Sequence, residues 1–341
     1  MPRRLAARGA AAVFLPAALL LGACSPTPSA TATPVPTPTP TPTATGGRTF
    51  YISPSGSDSG DGSIGAPRRT ILAGSKLLKP GDTLLVRGGT YHDPGGYDWA
   101  TTASGTASSP ITVEAYPGET PIFDGGRTVQ QALIVQNVAY VTFDGLSFTR
   151  YAPYDNGIIL ILASDHITLR GVRSYGSLGV GPGDSSSDHH IYVSDGASNI
   201  LIDGCYLDGI QGGGVHIYGG ASSSNVGVTN SRISNNGFGI MPSTKLAGGT
   251  FTNNVLTGNG SAFWLNRTGA RNLTIRGNTI SGPVGLWVES LASVPGLVET
   301  NDCLDSPAPF KVGWPEPSSS WTLAQWQAAG YGEGTVVGAC Q

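Results

Sequence analysis

Charge is scarce in this chain. Of 341 residues only 19 are Lys or Arg and 22 are Asp or Glu, a net of −3. That excludes the basic excess by which nucleic-acid-binding proteins are recognised, so no nucleic acid partner is expected. The heptad mixture of Ala, Glu, Lys, Leu and Arg that builds a coiled coil is missing as well. Lys occurs only four times and Met twice. Gly is abundant, with 50 residues, but follows no triplet period, which excludes collagen. What remains is rich in Gly, Ser, Thr and Asn, the composition of many short strands joined by many turns. The length allows one large elongated domain or two compact ones.

The N-terminus concerns address more than fold. Arg3, Arg4 and Arg8 precede an apolar run from Ala10 to Leu21, too short to span a bilayer. The run ends in Leu21-Gly22-Ala23-Cys24, which resembles a bacterial lipoprotein signal. The resemblance implies removal of residues 1–23, lipid attachment at Cys24, and a location at the cell surface or in the periplasm, anchored to a membrane. Residues 24–47 are almost entirely Pro, Thr, Ala and Ser and form an extended spacer. The folded domain is therefore expected over 48–341, as a monomer.

From residue 137 onward one pattern recurs: a short alternating strand, a Gly or Asn anchor, and a second strand 8 to 12 residues later. The anchors are Gly145, Gly171, Gly204, Asn230, Asn253 and Gly277, spaced by 26, 33, 26, 23 and 24 residues. A period in the mid-twenties is one rung of a three-sided parallel β-solenoid. A β-sandwich, whose strands recur every 8 to 12 residues, would not keep a rung-length repeat. The long rung is accounted for by a loop inserted around Val180 to Asp188. Strict alternation in the second strands predicts a core column of Ile158, Ile191, Val215, Ile240, Phe263 and Leu286.

Ahead of the repeats, a short helix is predicted between Thr70 and Lys79, followed by Pro80-Gly81-Asp82-Thr83-Leu84-Leu85-Val86-Arg87-Gly88-Gly89-Thr90-Tyr91, which reads as turn, strand, turn. With Pro110 to Glu119 and Pro121-Ile122-Phe123-Asp124-Gly125, this stretch resembles the N-terminal cap and first rungs of right-handed parallel β-helix proteins of the polysaccharide-lyase type. The resemblance covers most of residues 50–330. It implies an all-β fold, a single right-handed parallel β-helix with helical caps, and an extracellular polysaccharide as partner. At the other end, Trp321 to Gly330 reads as a capping helix started by Ser320. Cys303 and Cys340 flank it and are expected to form a disulfide, as an exported chain permits. Cys205 is read as a buried thiol.

Chemistry is expected on one outer face, where equivalent side chains stack about 4.8 Å apart. The outward column of the second strands reads Ile159, Tyr192, His216, Met241, Trp264, Trp287, and two residues further on Ile161, Ser194, Tyr218, Ser243, Asn266, Glu289. Aromatic faces beside hydrogen-bonding groups suit sugar rings, so Tyr192, Trp264, Trp287, Asn266 and Glu289 are the candidate substrate-binding residues. Asp188-His189-His190 places His190 beside His216 and Tyr218. Asp155 and Asp188 form a candidate carboxylate pair for Ca²⁺, the cofactor that would neutralise a uronate on a face with few cations. Lys245 follows the next strand. These residues outline a β-elimination site, with His216 or Lys245 as base and His190 or Tyr218 as acid. A lyase acting on uronate-containing glycan is one reading, and a non-catalytic carbohydrate-binding or surface-structural protein using the same groove is the other.

Overall fold

Alternation of apolar and polar residues over three to six positions, broken by residues that tolerate a left-handed backbone, builds a coil of parallel strands. The computed structural model describes residues 47–92, 103–153, 157–177, 188–243, 245–266, 269–314 and 318–340. Three parallel sheets run along the coil axis. The first has ten strands, from Thr49–Ile52 to Val298–Thr300; the second has ten, from Gly89–Tyr91 to Val336–Val337; the third has nine, from Leu133–Gln136 to Ser319–Trp321. Ser319–Trp321, at the end of the third sheet, pairs antiparallel with its neighbour, through Phe310 and Trp321. This is a right-handed parallel β-helix of about eight turns.

The anchors found in the sequence are the turns between the first and second sheets. Gly145, Gly171, Gly204, Asn230, Asn253 and Gly277 all have φ between 52° and 68°. Gly and Asn are the residues that enter this region at least cost. Just inside that turn runs a ladder of side-chain amides. Asn254 Oδ1 accepts from the Ser231 N–H at 3.0 Å, Asn278 Oδ1 from the Asn254 N–H at 2.9 Å, and their Nδ2 groups donate to the carbonyls of Val228 and Phe251. Backbone groups that a tight turn turns inward are thereby satisfied.

The interior is filled by stacked columns. Ile167, Ile200, Val226 and Leu273 of the first sheet, and Leu207, Ile233, Leu256 and Ile280 of the second, are all buried. Each such side chain contributes roughly 1.5 to 3 kcal/mol by leaving water. In the third sheet the core column is Ile159, Ile191, Val215, Ile240, Phe263, Leu286 and Phe310, aligned by register. The expected column was slipped by one in its first rung: Ile159 points inward and Leu160 takes the outer place beside Tyr192. Likewise Ile161 is core, and Leu162 is aligned with Ser194. Ile158 is nevertheless buried too, as are all of Gly157 to Ile159 at the start of the strand.

Both ends are closed. The helix Ile71–Ser75 is capped by Thr70, whose hydroxyl accepts from the Ala73 N–H, and Ile71 is buried against the first rung. The C-terminal helix is shorter than the sequence predicted, Leu323–Ala328, and Thr322 rather than Ser320 is its cap, because a reciprocal capping box with Gln325 forms there and Trp321 is held in the last strand. Trp326 is fully buried, stacked 4.8 Å from Phe310, and donates from Nε1 to Glu299 at 2.6 Å. Cys303 and Cys340 are joined in a disulfide, and Cys205 is a free buried thiol whose pKa burial pushes up to about 12.

Candidate functional site

The outer face of the third sheet brings together most of the predicted residues, in two clusters. The first is centred on His216, aligned with Tyr192 of the preceding rung and Met241 of the next. Its ring lies 5.3 Å from Tyr192 and 5.2 Å from Tyr218. His216 Nε2 is 3.1 Å from the hydroxyl of Ser243, and its Nδ1 is 2.8 Å from Nε2 of His189.

His189, not His190, is therefore the partner of His216. The reading that placed His190 on the outer face assumed alternation back from Tyr192. Alternation fails at the strand's start, where His189, His190 and Ile191 are all buried, and by register position 190 is level with Ile158 and Gly214. His190 is fully buried, its Nδ1 2.8 Å from the Ser174 hydroxyl. Burial pulls its pKa down to about 4, against the opposing pull of Asn236 and Asp208. Burial and the neighbouring His190 together hold His189 at about 3. Both rings are neutral at ordinary pH.

The backbone fixes how the protons are shared. The Gly213 N–H donates to His189 Nδ1 at 2.8 Å, so that nitrogen carries no proton and the neutral ring is protonated on Nε2. That proton points at His216 Nδ1, which must accept it. His216 in turn is protonated on Nε2 and donates to Ser243. One peptide N–H thus sets the tautomer of two imidazoles in sequence. In this state both nitrogens of His216 are committed, and the residue orients Tyr192, Tyr218 and Ser243 with no lone pair left over.

The second cluster lies further along the same face. Trp264 and Trp287 occupy successive rungs, stacked at 5.0 Å with an interplanar angle of 15°. Phe238 closes one side of Trp264 at 4.4 Å, and Trp314, 52% exposed, leans on both at 6.0 and 5.6 Å. The Lys311 ammonium sits 4.5 Å from the centre of the Trp287 ring. Trp287 Nε1 donates to the Gly313 carbonyl at 3.2 Å. Trp264 Nε1 and Asn266 Oδ1, by contrast, are shut off from water with no hydrogen-bond partner, each a cost of roughly 1 to 3 kcal/mol until something supplies one. Glu289 follows in the next rung, its N–H donating to the Leu265 carbonyl. Phe238, Lys311 and Trp314 had no place in the predicted columns. Trp314 and Phe238 lie just outside the alternating segments on which the columns were drawn.

The remaining candidates are placed apart or lie beyond description. Lys245 sits at the corner after the strand Phe238–Pro242, exposed, with its Nζ donating to the Gly220 carbonyl. Asp188 is buried, and its carbonyl shares the Gly213 N–H with His189 Nδ1, at 3.1 Å against 2.8 Å. Asp155, the proposed partner of Asp188, lies outside the described residues, as do Cys24, the 24–46 part of the spacer and the inserted loop over 178–187. Among the described residues no three His, Cys, Asp or Glu side chains converge closely enough to hold a metal ion.

The fold and this laddered face define a right-handed parallel β-helix protein with an aromatic outer face. The chain belongs to the Pel9A-like right-handed β-helix family, whose sequence pattern matches residues 50–272. Among curated proteins it is 43% identical over 75 residues to pectate lyase PEL9 of Emericella nidulans, covering 22% of this chain and 18% of that one. It is 28% identical over 165 residues to the uncharacterized protein YwoF of Bacillus subtilis, covering 48% of this chain and 30% of that one. The matched stretches thus span less than a third of each curated relative. Of solved structures, pectate lyase Pel9A superposes with a TM-score of 0.56 at 19% identity, over 78% of this chain and 77% of that one. An alginate lyase from Paenibacillus sp. FPU-7 does so with a TM-score of 0.53 at 16% identity, over 86% and 99%. At these identities the likeness is one of fold.

Proposed function

We propose that this protein binds an extracellular polysaccharide along the outer face of its third sheet. The observation that supports it is the late-rung cluster, where the half-exposed Trp314 leans on the Trp264–Trp287 stack. A sugar offers an apolar C–H face that matches such rings. The reading includes export, with residues 1–23 as signal, Cys24 as the lipidated residue and 24–47 as spacer, at the cell surface or in the periplasm. Replacing Cys24 by Ala then releases the protein from the membrane fraction.

A second reading, β-elimination on a uronate-containing glycan, is favoured by Tyr218, a partly exposed phenol held 5.2 Å from His216 in the groove. On that reading Tyr218 is the proton-transferring group, His216 positions it, and Ca²⁺ neutralises the uronate. Lys245 would have to leave Gly220 to take part, and His190 is enclosed.

One panel tests both. The whole chain is assayed with alginate, pectate, glycosaminoglycans and neutral glycans, with and without Ca²⁺, for retention and for the ultraviolet absorbance of unsaturated uronate ends. Retention that falls in Trp314→Ala, without unsaturated product, establishes binding alone. Unsaturated product that disappears in Tyr218→Phe establishes the lyase. Neither retention nor product with any glycan ends the proposal.

A further inference from the structure

The outer face of the second sheet carries side chains that the groove does not use. Parallel register aligns Ser147, Arg173, Tyr206, Arg232 and Val255 on successive rungs. The Arg173 guanidinium lies 4.8 Å from the centre of the Tyr206 ring and 5.9 Å from that of Tyr175. Arg173 and Arg232 are both exposed, and Val255 beside Arg232 is 39% exposed. Among the described residues the Arg–carboxylate pairs are made by Arg48, Arg87, Arg150 and Arg170, so neither Arg173 nor Arg232 has an acidic partner. Asp208, in the neighbouring column of the same strands, accepts instead from Ser234 and Asn235, at 2.7 and 2.8 Å.

Two unpaired cations two rungs apart, about 10 Å along the axis, with a tyrosine ring between them, make an arrangement with a definite complement. A planar guanidinium forks onto a carboxylate, and stacking on Tyr206 holds that of Arg173 in place before any ligand arrives. The ring between them is matched by the apolar face of a sugar. A nucleic acid is disfavoured by the net charge of −3. We infer that the outer face of the second sheet is a separate site for a carboxylate-bearing glycan, with Arg173 and Arg232 each taking a carboxylate and Tyr206 lying beneath the sugar between them. The site stands independently of the groove on the third sheet.

The test is affinity of the whole chain, by calorimetry, for three probes: an oligogalacturonate, the same oligomer fully methyl-esterified, and a sulfated glycan of similar length. The expected result is a preference for the acid over the ester that R173Q/R232Q removes, weakening the acid about fivefold to tenfold and leaving the ester unchanged. The preference also shrinks as salt is added, and Trp314→Ala preserves it. Because both arginines are exposed, the variant's circular dichroism and melting stay at the parental values. Acid affinity within twofold of the parent in R173Q/R232Q overturns the inference. Sulfated glycan bound as tightly as the uronate overturns the carboxylate assignment. Arginine-dependent retention on phosphatidylglycerol vesicles with no effect on the acid oligomer overturns it in favour of a membrane surface. If no probe depends on Trp314 while the acid preference persists, the groove reading fails and this one stands.

Discussion

The outer face of the third sheet changes character along the helix axis although its scaffold does not. Between Tyr192 and Ser243 its side chains are locked to one another, with Gly213, His189, His216 and Ser243 passing hydrogen bonds in one direction. Between Trp264 and Trp314 the rings are stacked, yet Trp264 Nε1 and Asn266 Oδ1 are unpaired. Both regions stand on parallel strands in continuous register. A repeating backbone therefore supplies positions, and the chemistry of a face is decided by the outward residue of each rung.

The largest expected difference is in the response to acid. Folded His190 is neutral down to about 4, whereas an unfolded histidine takes up its proton near 6.5. Below pH 6.5 the unfolded chain then binds more protons, so stability is lost as pH falls from 6.5 towards 4, by about 3 kcal/mol for His190 alone. His190→Ile, which copies the equivalent Ile158, should flatten that part of the pH profile in urea titrations. An unchanged profile would move the effect to His189.

The late rungs should respond in the opposite sense. Burial, with Glu299 nearby, raises Asp302 to about 8, and its Oδ2 lacks a partner. The folded state keeps this proton where the unfolded chain has released it, so the contribution is present at low pH and is lost as pH rises from 3.8 to about 8. Asp302→Asn should remove that loss, seen as a higher melting temperature at pH 8 than the parent shows. Equal melting of the two proteins there would mean that Asp302 is not the group responsible.

Smaller in energy is the contrast in ligand response. Trp314→Ala should weaken retention of the bound glycan about tenfold, or about 1.4 kcal/mol, while Tyr192→Phe in the locked region leaves it within twofold. Equal losses would erase the distinction between the two ends. With no energy change at all, nitrogen-15 spectra should show His189 protonated only on Nε2 and His216 likewise. A proton on Nδ1 of His189 would reverse the direction of the chain.

Much of this was legible in the residue order. The anchors from Gly145 to Gly277 marked the left-handed turns, because only a few residue types accept that backbone. Columns such as Ile191, Val215 and Ile240 followed from period-two alternation. The Cys303–Cys340 pair followed from its flanking of the cap. Even the amide ladder has a sign in the sequence, an Asn directly after the anchor at Asn254 and Asn278. His189 and His190 exchanged roles because alternation is a property of regular strands, and it fails over the first residues of this one, where His189, His190 and Ile191 are all buried.

The sequence by itself determined the repeat, the turns and which residues are apolar enough to be inside, since these depend on local conformational preference and on hydrophobicity. Only the tertiary structure decided which side chains meet. The Gly213 N–H that sets two histidine tautomers, the contact of Trp314 with Trp264 and Trp287, and the placing of Tyr206 between Arg173 and Arg232 all join residues more than twenty positions apart. Such meetings depend on rung lengths, and a single-residue slip in register would exchange the inner and outer faces.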